Sequence, residues 1–262
     1  MSSISWLVLL IALSAWCCPT QAEPVHHDAP RIVLKLDDMK HRGGTLDPGW
    51  QMTLAYLDEH DIPASIGVVG NTLENAPQAY LDRLIALDAT GRYELWNHGW
   101  SHTRDKETGI AEFRGSGFEY QLDRFARTQQ FARDTLGIDF VGFGAPYNQT
   151  DADTARVIEQ HPEVRWWMYP PRSAQVPRGV LPLYRVGSVN IEIPVHNPNP
   201  QALREAFPEH RDEPVLVIQG HPMSWDVGDR FEKFTQIIEY LRAEGCTFVL
   251  PRDLSAEVAE AK

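Results

Sequence analysis

Cysteine is scarce in this chain, with 3 residues in 262. Cys17 and Cys18 fall in an N-terminal stretch that reads as a cleavable leader. The mature chain would then keep Cys246 alone and could close no internal disulfide. Cys246 opens the apolar, strand-like run Cys246-Thr-Phe-Val-Leu250, where a buried inert thiol is expected rather than a nucleophile. Basic charge is also short. Lys and Arg total 24 against 36 Asp and Glu, a formal net charge of −12. That balance excludes a broad nucleic-acid or anionic-membrane surface, which needs a basic patch. No apolar run reaches the ~20 residues of a membrane span. Repeats and low-complexity linkers are lacking too, so one domain is expected.

The leader is assigned to residues 1–22. Trp6 to Ala15 is apolar but too short to span a bilayer, and Thr20-Gln-Ala22 offers a cleavage site. Trp16 precedes Cys17, and Cys17 precedes Cys18, where lipid attachment would want a small residue. Simple export, periplasmic or secreted, is therefore the reading. Residues 23–30 form a flexible polar arm, and 31–262 the folded domain.

That domain alternates strand and helix. Arg31 to Asp38, Pro63 to Gly70, Tyr93 to Asn97, Asp139 to Phe143, Val164 to Tyr169, Pro214 to Ile218 and Thr247 to Leu250 read as strands. Leu181 to Val186 and Val189 to Ile193 read as a hairpin or one bent strand. Helical patterns cover Trp50 to His60, Pro77 to Ala89, Ile110 to Leu136, Asp151 to Gln160, Gln201 to Phe207 and Arg230 to Glu244. At least six alternations predict an α/β fold with a parallel sheet closing into a barrel.

Chemically notable groups fall at the ends of these strands. Asp37 and Asp38 follow the first, His98 and His102 the third, Pro146 and Tyr147 the fourth, and His221 the strand from Pro214. In a β/α barrel such ends meet on one face. The histidines stand four apart, a spacing that a helical stretch would turn to one side. Asp37 and Asp38 start on opposite strand faces unless the backbone turns between them. Asp38, His98 and His102 together would hold a divalent ion, most readily Zn2+, with a position left for water.

At these residues the chain resembles the polysaccharide deacetylase family, carbohydrate esterase family four, over roughly Arg31 to Leu250. Leu36-Asp37-Asp38 is similar to the family's first motif. His98-Gly-Trp-Ser-His102 is similar to its second, Gly144-Ala-Pro-Tyr147 to part of its third, and Val217-Ile-Gln-Gly-His221 to its last. The resemblance implies a distorted (β/α)7 barrel and a divalent metal held by Asp38, His98 and His102. It implies Asp37 as general base, His221 as catalytic acid, and the Tyr147 backbone N–H as oxyanion donor. The activity it implies is removal of acetyl groups from an extracellular or periplasmic glycan.

Three positions depart from the pattern. The family arginine that orients the base falls at Gly144. Lys35, on the same strand face as Asp37, or Arg165, is expected to supply that cation. The family leucine of the acetyl pocket falls at Gln219. The aspartate that tunes the acid histidine has no clear match, and Asp226 is a candidate by proximity. Trp100 and Trp225, in loops beside the motifs, are expected to stack on sugar rings; of Trp166 and Trp167 at most one should face solvent. His41 and His196 sit in loops near the cleft and are not assigned as ligands. Competing readings are a lyase or other hydrolase on this scaffold, a non-haem iron oxygenase, or a glycan-binding protein without catalysis.

Overall fold

A computed structural model describes residues 29–260. The described elements run β1 (Arg31–Met39), β2 (His41–Arg42), β3 (Thr45–Leu46), α1 (Pro48–Glu59), β4 (Ala64–Val68), α2 (Gln78–Ala89), β5 (Tyr93–Asn97), α3 (Phe118–Leu136) and β6 (Gly142–Gly144). They continue with α4 (Ala152–Glu159), β7 (Trp166–Met168), β8 (Leu181–Leu183), α5 (Pro200–Ala206), β9 (Val215–Gly220), α6 (Arg230–Ala243), β10 (Thr247–Phe248) and α7 (Pro251–Glu260). The leader and most of the N-terminal arm lie outside the described residues.

β2 and β3 form a separate small hairpin, and the other strands make one all-parallel sheet. Its path β9-β1-β4-β5-β6-β7-β8 curls into a seven-stranded barrel left open between β8 and β9. β10 pairs with Arg31 and Ile32, on the edge of β1 that β4 takes further along. β1 is the central stave, buried from Ile32 to Met39. A strand covered on both faces is apolar without alternation, and Ile-Val-Leu at its start is so.

The barrel interior is filled by indoles laid over glycines. Trp96 of β5 pairs in register with Gly67 of β4, and Trp166 of β7 with Gly142 of β6. A Cβ on Gly142 would sit 1.9 Å from the Trp166 ring, and one on Gly67 would sit 2.5 Å from Trp96. Trp166 and Trp167 are both fully buried, in keeping with the limit of one exposed ring.

One expected strand is absent. Residues 189–193 belong to no strand among the described residues. They run beside the end of β9 and bond to it through side chains. Asn190 Oδ1 accepts the Gln219 N–H at 2.6 Å, and Glu192 Oε1 accepts the His221 N–H at 2.8 Å. Those acceptors stand where a ladder carbonyl would, and Pro194, next after the segment, has no N–H with which to extend a ladder. This segment lies along the free edge that the open barrel leaves on β9.

Glu94, near the start of β5, ties the barrel floor to α7. It is 3% exposed. Its carboxylate accepts Trp166 Nε1–H at 2.8 Å and the Arg252 N–H at 2.9 Å. Burial, opposed by these two hydrogen bonds, pushes its pKa from its ordinary 4.5 up to about 7. A carboxyl that holds its proton more tightly when folded stabilises fully below the unfolded pKa and loses that contribution as pH rises through the folded one. Urea denaturation is expected to show stability falling by up to about 3 kcal/mol between pH 5 and pH 7 from this group. Glu94→Gln should flatten the fall; parallel pH curves for the two proteins would contradict the assignment.

Candidate active site and metal centre

The C-terminal ends of β1, β5, β6 and β9 share one mouth. At the end of β1 the register against β4 shifts between Leu36 and Met39, and Asp38 takes a left-handed φ of 66°. A bulge of this kind re-aims a side chain. It brings both carboxylates to His98: Nε2 lies 3.4 Å from Asp38 Oδ1 and 3.9 Å from Asp37 Oδ2.

The histidine stretch is a loop, not a helical turn. Gly99 and His102 both take positive φ, 72° and 52°. Glu112, which the sequence reading did not single out, pins the loop: its buried carboxylate accepts the N–H groups of Trp100 and Ser101 and the Ser101 hydroxyl. Asn97 Oδ1 accepts the Gly99 N–H. The loop thereby places His102 Nε2 3.0 Å from Asp38 Oδ1.

These residues fit a divalent cation. One ligand atom from each of Asp38, His98 and His102 lies within 4.8 Å of the others. Asp38 Oδ1 and His98 Nε2 are buried without a hydrogen-bond partner, a costly state that a cation relieves. His98 Nδ1 sits 2.6 Å from the Gly144 carbonyl. A carbonyl can only accept, so Nδ1 carries the proton and Nε2 keeps its lone pair toward the cleft. Two imidazoles and one carboxylate suit zinc with a position left open.

Asp37 is held from two sides. Lys35, fully buried between the rings of Trp96 and Tyr169, donates its ammonium to Asp37 Oδ2. Gln219 Nε2 donates to the same oxygen at 2.6 Å, and Asn148 Nδ2 donates to Gln219 Oε1 at 2.9 Å, fixing the amide's orientation. Asp37 Oδ1 is left buried and unpartnered. Burial would raise the pKa of Asp37, but Lys35, His98 and His221 outweigh it and hold the group below the usual carboxylate range. Lys35 therefore supplies the cation expected beside Asp37. Arg165 does not: its guanidinium turns to the Pro162 carbonyl. Gly144 explains the exchange, because a Cβ there would come 2.8 Å from the Trp96 ring and 3.5 Å from Lys35 Cε. An arginine has no room where indole and lysine already stand.

His221 follows β9, its Nε2 3.9 Å from Asp37 Oδ2. The carboxylate bonded to it is Glu192, not Asp226. Glu192 Oε2 takes the His221 Nδ1 proton at 2.6 Å, while Oε1 takes the His221 N–H and the Trp225 Nε1–H, both at 2.8 Å. Burial would lower the His221 pKa, and the bond to Glu192 with the charge of Asp37 raises it overall. A proton held on Nδ1 leaves Nε2 to face the cleft. Glu192 was missed because nothing in the sequence distinguishes it from other acids.

Two expected sugar platforms are corrected. Trp100 is 4% exposed and packs on Phe131 under Arg127; Trp225 is 0% exposed and stacks on Phe234. Both rings serve the core. The exposed ring at the mouth is Tyr147, 45% accessible, 4.6 Å from the His102 ring, with its hydroxyl donating to the His102 carbonyl. Cys246 is buried and free, its pKa pushed up to about 11 by burial, as an inert thiol should be.

The barrel fold is shared with solved structures of the carbohydrate esterase kind. It is similar to a family 4 acetyl xylan esterase from Clostridium thermocellum in complex with a cobalt ion, at 17% identity and TM-score 0.58, covering 86% of this chain and 90% of that one. A putative polysaccharide deacetylase from Mycobacterium smegmatis aligns at 13% identity and TM-score 0.64, covering 89% and 92%. A CE4 family pseudoenzyme from Bacillus anthracis aligns at 13% and 0.60, covering 88% of this chain and 66% of that one. At such identities the likeness shows the fold alone. No curated protein matches the chain in sequence. The sequence profile described as polysaccharide deacetylase matches residues 25–164, more than half of the chain, and the chain belongs to that family.

Removing one partner of a buried ion pair leaves the other charge uncompensated. Lys35→Met is expected to cost about 3–5 kcal/mol in urea denaturation at neutral pH, and Arg165→Met close to nothing. Equal stabilities for the two variants would show that Asp37 does not depend on Lys35.

Proposed function

We propose that this protein is a metal-dependent hydrolase that removes acetyl groups from a glycan outside the cytoplasm. The observation that carries the reading is the convergence of three buried, unpartnered atoms, Asp37 Oδ1, Asp38 Oδ1 and His98 Nε2, on one cleft. Two of them suit a cation, and the third suits a proton acceptor beside it.

In this reading Asp38, His98 and His102 hold the ion, zinc by their donor set. Such an ion, when bound, polarises an acyl carbonyl and acidifies water. Asp37 takes the proton of the attacking water at Oδ1, while Lys35 and Gln219 keep Oδ2 occupied. The ordinary weakness of a carboxylate base is offset by position. His221, steadied by Glu192, delivers a proton from Nε2 to the departing sugar oxygen or nitrogen. The Tyr147 N–H is the proposed oxyanion donor, a group worth about 3 kcal/mol where such donors have been removed. Its exposed ring offers the flat apolar face on which a sugar can rest.

Gln219 beside the base leaves the acyl pocket more polar than an acetyl methyl requires. A glycan-active enzyme of different chemistry, a lyase or another hydrolase, is the second reading this observation favours. Among the described residues no helix is long and apolar enough to cross a membrane, and export by residues 1–22 belongs to the proposal.

Acetate release from a panel of acetylated glycans should require a divalent metal and stop on chelation. Asp37→Asn should lower kcat by a factor of at least about 100 while retaining its metal. No acetate from any glycan by the metal-loaded protein would leave binding or a different reaction. Wild-type turnover in Asp37→Asn would remove Asp37 as the base.

A further inference from the structure

The cleft contains a second set of ligand atoms. Glu192, His196 and His221 each offer one, and the three lie within 4.8 Å of one another, with Glu192 and His221 buried and His196 exposed. The His196 and His221 rings stand 4.9 Å apart, centroid to centroid. His196 is fixed by a left-handed φ of 70° and by its N–H, which donates to Glu192 Oε2 at 2.8 Å.

Glu192 thus accepts four hydrogen bonds, two on each oxygen: the main-chain N–H groups of His196 and His221, the Trp225 indole N–H, and the His221 Nδ1 proton. The first three are not titratable near neutral pH. The fourth is an imidazole proton, and imidazole exchanges protons for metal ions readily. A cation in that proton's place would part the two atoms from 2.6 Å to about 3.3 Å, the spacing that zinc bonds set at a tetrahedral angle, and Glu192 would still have three other donors. The ion would sit between a carboxylate oxygen and an imidazole nitrogen, and the ring of His196 is the third donor, reached from solvent. Two nitrogens and one oxygen form the mixed set that zinc favours.

We propose that Glu192, His196 and His221 form a second divalent-cation site, distinct from the Asp38 triad, and that filling it inhibits the enzyme. The ion takes the place of the His221 Nδ1 proton, which leaves to solvent. While Nδ1 is coordinated, His221 cannot become the doubly protonated imidazolium, so Nε2 is a far weaker acid toward a leaving group. The inhibitory consequence rests on the deacetylase reading; the binding does not.

Equilibrium dialysis of the full metal-stripped chain against zinc separates the two. Wild type should bind one zinc more than His196→Ala, and one more than His102→Ala. The ion that persists in His102→Ala should be the weaker one, lost on adding His196→Ala. In acetate release, activity should rise with the first equivalent of zinc and fall with excess. His196→Ala, whose side chain is exposed and outside the proposed chemistry, should keep the rise. It should need at least about tenfold more zinc for the fall, the least that losing even an outer partner costs in affinity. Equal zinc counts for wild type and His196→Ala would overturn the site. Equal counts together with equal inhibition by excess zinc would overturn the regulatory claim too. A second zinc lost in His196→Ala, with no acetate released by either protein, would uphold the site and sink the deacetylase reading.

Discussion

A strand throws neighbouring side chains to opposite faces, yet here two adjacent carboxylates stand at one mouth. The conflict is resolved at Asp38. Its left-handed φ of 66° and the slipped register between Leu36 and Met39 let Asp37 and Asp38 face a common cleft. Holding a non-glycine residue there costs on the order of 1–3 kcal/mol and persists only where the surroundings over-determine it. Here they do. β1 is clamped along one edge by β9 from Arg31 to Leu36, and along the other by β10 and β4. Asp tolerates the left-handed region better than most residues. His102, Tyr147 and His196, also left-handed, lie around the same mouth, so turns of one kind set the aim of the cleft.

The lysine under Asp37 follows from the filling of the barrel. Trp96 lies across Gly67 and crowds Gly144, and together these leave a slot one side chain wide. Lys35 enters from β1 itself, two residues before Asp37, and reaches it from the barrel interior. Burial lowers the pKa of Lys35 while Asp37 opposes that shift. The aromatic faces of Trp96 and Tyr169 add attraction for the cation. Position 144 and position 35 are therefore one solution seen from two strands. A cation can come from the third motif if 144 carries it, or from β1 if 144 is empty and Trp96 fills the space.

The sequence showed much of the barrel because strand-helix alternation is a periodic signal. It showed Asp37, Asp38, His98, His102 and His221 because short motifs at strand ends survive without knowledge of the turns. The supporting groups were not legible. Glu112 and Glu192 are two acids among 36 Asp and Glu; Glu112 reaches back 12 positions to Trp100, and Glu192 forward 29 to His221. Asn148 and Gln219 meet 71 positions apart. The indoles misled for a related reason. Trp100 lies within one motif and Trp225 just after another, but large flat rings near a cleft wall are what a packed interior consumes first. The helical spacing of His98 and His102 suggested a turn of helix, while the actual loop depends on Glu112 accepting main-chain N–H groups that a helix would have bonded internally.

The gap between β8 and β9 decides how His221 is held. A fully paired barrel would cover that edge of β9 with a neighbouring strand, whose main chain would spend its hydrogen bonds on the ladder. With no strand there, residues 189–193 approach side chain first, and Asn190 and Glu192 meet the amides of Gln219 and His221 directly. The same contact orients two neighbours of Asp37: Asn190 fixes the backbone of Gln219, and Glu192 fixes the ring of His221. The surroundings of Asp37 and His221 are thus coupled through one irregular segment. A shift of that segment by an ångström would loosen the amide on Asp37 Oδ2 and the proton on His221 together, which a pair of independent loops could not enforce.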